Sequence, residues 1–332
     1  MSTKTEHLKP LRFSQTIGKD FSKTLNKRVR AYFKDNNITK YANSTMVIKT
    51  IFMILLYLVP FSLMVFGLVT NFWLIFLMFA IMGLGMAGIG FSIMHDANHG
   101  AYSKNENVNK WVGRIINLVG GYALNWKIQH NVLHHTYTNV HEYDEDINTI
   151  GLLRFSPDDE RKPIHKYQYL YAWFFYGLMT VMWMTTKDFQ QLKRYKDKDL
   201  LKTFNTTYKK NILVLIISKL VYYAFVIALP IIVLPVSWYW IVLFVFVMHY
   251  IAGFILAIVF QPAHVIPETE FVKSTDDLTI ENNFAIHQME TTCNFAPDNK
   301  ILSWFVGGLN YQVEHHLFPT ICHVHYKKLS KI

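Results

Sequence analysis

The chain has 332 residues, 52% hydrophobic and 16% aromatic, with only 17% charged and a formal net charge of +10. That is more apolar than an ordinary soluble domain, so a membrane protein is the first expectation. The two cysteines, Cys293 and Cys322, exclude a disulfide framework and match no zinc-finger spacing. The basic residues form no stripe on a recognisable binding fold and gather beside apolar segments, so a nucleic-acid partner is not expected.

Residues 1–49 carry eleven Lys/Arg against three Asp/Glu and lack the apolar core and cleavage site of a signal peptide, so 1–47 are expected as a basic cytosolic segment. Two apolar runs, 48–69 and 72–93, follow around the polar turn Thr70-Asn71. Each is about long enough to cross roughly 30 Å of hydrocarbon at about 1.5 Å per residue. His95 and His99 come directly after the second run and share one helical face if the helix continues. The segment from Trp111 to Leu118 has the make-up of a helix lying in the membrane interface, and His130, His134 and His135 follow it. The acidic run Glu142-Tyr143-Asp144-Glu145-Asp146 comes next. It is either a solvated loop or a source of carboxylates that accept the free ring N–H of a ligating histidine.

Residues 167–186 are apolar and aromatic, but a crossing there would put the histidine clusters on opposite sides of the membrane, so this segment too is expected to lie in the interface. Residues 187–210 hold eight Lys/Arg against three Asp, which keeps this loop with the basic N-terminus. A second pair of spans is expected at 211–234 and 236–260, joined near Pro230 and Pro235, with Lys219 snorkelling toward its basic end. His249 lies mid-span and is expected as a neutral imidazole hydrogen-bonded between helices, or as a functional group. His264 stands to its span as His95 does to the second one. The last cluster is Gln312-Val313-Glu314-His315-His316, after Gly307-Gly308. His7, His165, His323 and His325 lie outside the clusters and receive no role.

The expected fold is therefore an all-α integral membrane protein in one domain, 1–332. Four transmembrane helices form two hairpins, with interfacial helices and a cytosolic, histidine-rich di-metal cap. A histidine pair could be no more than interfacial polar residues, but three clusters on one face argue for a site. Adjacent pairs diverge by about 100° around a helix, so they can serve two metals. The His-Glu-x-x-His pattern of zinc proteases is absent and the imidazoles outnumber the needs of one ion, which favours two metals with open positions for oxygen. Expected ligands are His95, His99, His130, His134, His135, His264, His315 and His316, with Gln312 the odd member of the last cluster. Asp96, Asp144, Asp146, Glu314 and His287 are expected around them as hydrogen-bonding partners.

The blocks His95 to Gly100, His130 to His135, and Thr291 through Gly307-Gly308-Leu309-Asn310-Tyr311-Gln312-Val313-Glu314-His315-His316-Leu317-Phe318-Pro319 resemble the membrane fatty-acid desaturases. Gln312, where many of that family carry a histidine, resembles the front-end branch, which places a double bond between an existing one and the carboxyl group. The resemblance implies two iron ions, O2 as co-substrate, and a fatty-acyl substrate delivered as a coenzyme A thioester or membrane lipid. It carries the ligand role onto the same eight histidines and Gln312. Many front-end enzymes carry a fused cytochrome b5 domain, whereas the 49-residue leader has no His-Pro-Gly-Gly motif. A separate donor protein of ferredoxin or cytochrome b5 type is therefore expected. Similar proteins also continue some tens of residues past the last cluster, which leaves a shortened chain as an expectation. Two other functions fit the same residues: a lipid hydroxylase on this scaffold, and a non-catalytic metal carrier, which should place its ligands within the spans.

Overall fold

The structure is a computed structural model that describes residues 9–149, 151–273 and 278–332; His7 lies outside the described residues. Among these, extended pairing is limited to the parallel pair Arg12–Phe13 with Thr279–Ile280 and an isolated bridge between Val140 and Val272, the one small departure from an all-α fold.

Helix α1 (Lys19–Asp35) buries Val29 against Tyr311, Ile321, Tyr326 and Leu329, so the basic N-terminal segment clasps the C-terminal one. Helix α2 (Ser44–Val65) starts where Asn43 caps it, its side chain accepting from the Met46 amide at 3.1 Å. The helix thus begins before the apolar run does, because a cap and not hydropathy decides where a helix can start. The hairpin to α3 (Phe72–Asn98) turns at Asn71, whose side chain accepts from the Trp73 and Leu74 amides at 3.0 and 3.2 Å. At α3 the backbones approach closely. A side chain at Gly83 would lie 2.7 Å from the Met248 carbonyl oxygen, and one at Gly85 2.8 Å from the Tyr57 nitrogen. Small residues let helices meet through van der Waals contact where lipid provides no hydrophobic drive.

After α3 come α4 (Glu106–Gly113), α5 (Gln168–Gly177) and α6 (Asp188–Asp197), then the second long hairpin, α7 (Tyr208–Val233) and α8 (Trp238–His264). Pro230 lies inside α7, and residues 234–237 make the turn. The four long helices are long and apolar enough to cross a membrane. Ile48, Ile51 and Leu55 of α2 and Leu213, Ile217 and Leu220 of α7 face outward. Apolar surface of this extent is stable against lipid and a liability in water. The chain is an integral membrane protein. Trp111 and Leu118, and Tyr169, Leu170, Trp173 and Phe174 of α5, are likewise exposed.

Lys219 does not snorkel. It is 3% exposed, and its ammonium donates to Asp188 Oδ2 at 2.6 Å and to the Gly120 and Trp183 carbonyls at 2.7 and 2.6 Å. An ammonium held off from water needs a carboxylate and carbonyl acceptors, and the loops packed over α7 supply them. His249 is buried between helices, its Nε2 against the Tyr222 hydroxyl at 2.5 Å and its Nδ1 against Thr180 Oγ1 at 3.3 Å.

Candidate metal centre

Four chain segments end at one place. The end of α3 carries His95 and His99, the end of α8 carries His264, and the short helix α9 (Phe284–Thr291) supports α10 (Gln312–Leu317), which carries His315 and His316. The fourth segment, Lys127–His134, is π-helical, and the His135 amide donates to the His130 carbonyl at 2.9 Å. That wider turn places residues five apart above one another, so His130 and His135 stack toward the same side where an α-helix would splay them. A second π-turn, Ile89–Met94, precedes His95.

The ring nitrogens of His95, His99, His130 and His315 lie within 4.8 Å of one another, and those of His134, His264 and His316 form a second such group. His135 stands between the two: its Nε2 is 2.9 Å from His315 Nε2 and 3.2 Å from His130 Nε2, and its ring stacks on His316 at 4.2 Å. The adjacent pair His315/His316 contributes one ring to each group, the rings crossing at 83°, and both reach His135 within 4.8 Å. His95 Nε2 and His130 Nε2 are 3.1 Å apart. Imidazole nitrogens about 3 Å apart match neighbouring ligands on one ion with bonds of about 2.1 Å.

The remaining ring nitrogens fit the same reading. His134 Nδ1 donates to Asp144 Oδ2 at 2.9 Å, and His316 Nδ1 donates to Gln288 Oε1 at 2.8 Å. His315 Nδ1 meets the Tyr326 hydroxyl at 3.0 Å, and His264 Nδ1 donates to the Thr291 carbonyl at 3.3 Å. The carboxylate, amide and carbonyl acceptors fix the tautomer of His134, His316 and His264 and leave their Nε2 with a lone pair. In these three and in His99 the Nε2 is buried without a hydrogen-bond partner, as is Gln312 Oε1. Buried acceptors left unpaired are costly, and a cation between them removes the cost. The residues present therefore fit a metal centre.

Burial, and then the neighbouring imidazoles, hold His99, His135, His315 and His316 well below the usual histidine range. Burial likewise lowers His130 to about 3, against the pull of its bond to Asp146. In His134 burial works the same way but is outweighed by Asp144 and Asp146, so its pKa is raised. Neutral imidazole is the form that binds metal.

The predicted partners divide. Asp144 and Asp146 face the centre, Asp146 Oδ2 lying 3.5 Å from His130 Nδ1, while Glu145 turns away to Arg194 and the Tyr195 hydroxyl. Asp96 lies 3.8 Å from His95 Nδ1 and accepts chiefly from His323 Nδ1 at 2.8 Å. Glu314 accepts from Asn294 Nδ2 at 2.8 Å and from none of the clustered imidazoles. His287 packs against Phe13 and neither ring nitrogen has a partner, so it supports no ligand; its neighbour Gln288 does. Gln288, Tyr326 and Thr291 escaped the sequence reading because no spacing links them to the histidines they hold. His323 escaped it because its partner Asp96 is 227 residues away.

Beside both groups lies a cavity of about 270 Å³, walled by Phe91, Met94, Trp183, Leu256 and Phe260 among others, and reaching His95, His130 and His315 of the first group, His134 and His264 of the second, and Gln312. Such a chamber suits an apolar chain. These features define a class, an integral membrane protein whose histidine-rich site can hold metal and opens onto an apolar cavity. The family model for fatty acid desaturase matches residues 71–332, and the chain belongs to the fatty acid desaturase family, making it an oxidoreductase that desaturates fatty-acyl chains. It is 37% identical over 327 residues to the sn-1 linoleoyl-lipid 6-desaturase of Arthrospira platensis, covering 96% of this chain and 85% of that one. To the enzyme of the same name from Synechocystis sp. it is 34% identical, with 97% and 88% covered. It is also 31% identical to the acyl-lipid (8-3)-desaturase of Physcomitrium patens, with 97% and 67% covered. The similarity to 6-desaturases fits the front-end branch.

Proposed function

We propose that this protein is a front-end acyl-lipid desaturase that uses two iron ions, O2 and electrons from a separate carrier protein. The observation that carries the reading is the pair of imidazole groups beside an apolar cavity, with the Nε2 atoms of His99, His134, His264 and His316 buried and unpartnered. His95, His99, His130 and His315 would hold one ion and His134, His264 and His316 the other, with His135 between them and Gln312 at the cavity side. Bound iron would supply the activation of O2 and the removal of two hydrogens from adjacent methylenes.

The chain's own residues do the rest. Phe91, Met94, Leu256 and Phe260 exclude water and hold the acyl chain so that one C–C bond lies at the histidines. Asp144, Gln288 and Tyr326 fix the imidazoles before any ion binds. The names of the relatives favour a lipid-linked acyl group over a coenzyme A thioester. The basic segments 1–49 and 187–210 favour placing the centre on the cytoplasmic side.

The test is expression in a host without polyunsaturated lipids, with linoleate supplied and lipid products analysed by gas chromatography and mass spectrometry. A new cis double bond on the carboxyl side of the existing ones, with about two irons per chain, is expected. An alcohol product would give the scaffold to hydroxylation. Zinc in place of iron with no O2 uptake would favour a carrier.

A further inference from the structure

A second opening reaches the histidines and shares no lining residue with the apolar cavity. This groove, of about 1000 Å³, is lined by His99 and by Lys110, Arg114, Lys127 and Lys210, with Glu106 its single acid. Among the described residues none of the four cations forms an ion pair, whereas Arg194, Lys202, Lys219 and Lys273 do. Arg114 is held over the Trp111 ring at 5.0 Å. Lys127 is lowered by burial and by the nearby charges of Arg114 and Lys110, as expected where like charges are gathered and left uncompensated. Such a patch costs folding free energy and persists where an anionic partner offsets it.

His99 joins the groove to the centre. Its Nε2 is buried and belongs to the first imidazole group, while its ring is the one clustered imidazole that lines the groove. A redox group seated there would be one imidazole from the metal position, and electron transfer falls steeply with distance. We propose that this groove is the docking site of an acidic one-electron carrier protein, which delivers its electrons through His99. The proposal rests on the desaturase reading above, in which –CH2–CH2– plus O2, two electrons and two protons gives –CH=CH– and two waters. The carrier is oxidised once per electron, twice per double bond. The acyl chain has its own cavity elsewhere, which argues against an anionic acyl headgroup as the occupant.

The test uses the full chain in nanodiscs, with a plant-type ferredoxin and the soluble haem domain of cytochrome b5 as probes. In Lys110→Glu/Arg114→Glu, two exposed positions outside the histidine cluster, the apparent KM for the carrier should rise at least about tenfold. The kcat at saturating carrier and the KM for acyl substrate should hold, as for a charge at an interface rim. Iron content and single-turnover desaturation driven by a small chemical reductant should match the parent, which separates docking from folding. In the parent chain, carrier binding measured directly should weaken with added salt. The proposal is overturned if neither carrier's KM or binding responds to the reversal. It is equally overturned if the KM for acyl substrate rises instead, which would assign the groove to an anionic headgroup. Should the double variant lose iron, Lys110→Gln alone, read by salt-dependent binding, decides in the same way. Failure of the parent to desaturate with the chemical reductant would sink the desaturase reading, while direct carrier binding would still judge the groove.

Discussion

Asp144 and Gln288 each hold a single imidazole from outside the cluster, and their contribution can be separated from that of the histidines. Asp144 also accepts from the Asn139 and Asp146 amides at 2.9 Å, so its carboxylate is fixed before it orients His134. Asp144→Asn and Gln288→Leu should each lower iron affinity by about 10–100-fold with all eight imidazoles intact, measured by chelator competition. His134→Ala removes a member of the second group outright. Iron per chain should fall from about two to about one and desaturation should be lost; full activity in that variant would refute the site. His287 bears on pH. Burial lowers it to about 4 from the ordinary value, so between these limits the unfolded chain binds a proton that the folded chain refuses. Stability therefore rises with pH through that window and falls as pH drops from about 6.5 toward 4. In the metal-free protein, His287→Phe should flatten the fall in Tm across this range.

Among the helices, α7 is tied to the cap by one buried ion pair. Lys219 and Asp188 are both 3% exposed, and the same ammonium reaches loop carbonyls at Gly120 and Trp183. Removing one partner strands the other charge, which costs about 3–5 kcal/mol. Lys219→Ala should lower Tm sharply, and Lys219→Met/Asp188→Leu should recover much of it, because replacing both charges with apolar groups leaves nothing buried and unpaired. An unchanged Tm in the single variant would mean that water reaches this pair. The helix ends matter for the same kind of reason. Asn43, Asn71 and Thr207 cap three of the long helices, so local polar residues set where those three spans begin.

For the whole molecule, two hairpins bring helix α1, the C-terminal segment and the long middle segment to one side. Cysteine labelling of intact cells should separate the two faces: Gly67→Cys and Ser237→Cys, in the short turns, should react with an impermeant maleimide added outside. Lys104→Cys and Lys198→Cys should react only after permeabilisation, and the reverse pattern would put the centre on the outer face. Hydropathy and charge made this architecture legible, because a membrane demands about 20 apolar residues per span and basic flanks on one side. The histidines were legible for a similar reason: ligand spacing along one helix is a local property, visible as His95/His99 and His130/His134.

Four apolar helices, the eight imidazoles and the family they resemble are local properties that the sequence carries on its own. Only the tertiary structure divided those imidazoles into two groups, because the π-turn at Lys127–His134 and the crossing of α3, α8 and α10 set where each ring points. It also paired Lys219 with Asp188, Asp96 with His323 and His316 with Gln288. Each is a contact between residues far apart in the chain, made where a polar group cut off from water must find its partner in whichever segment packs against it.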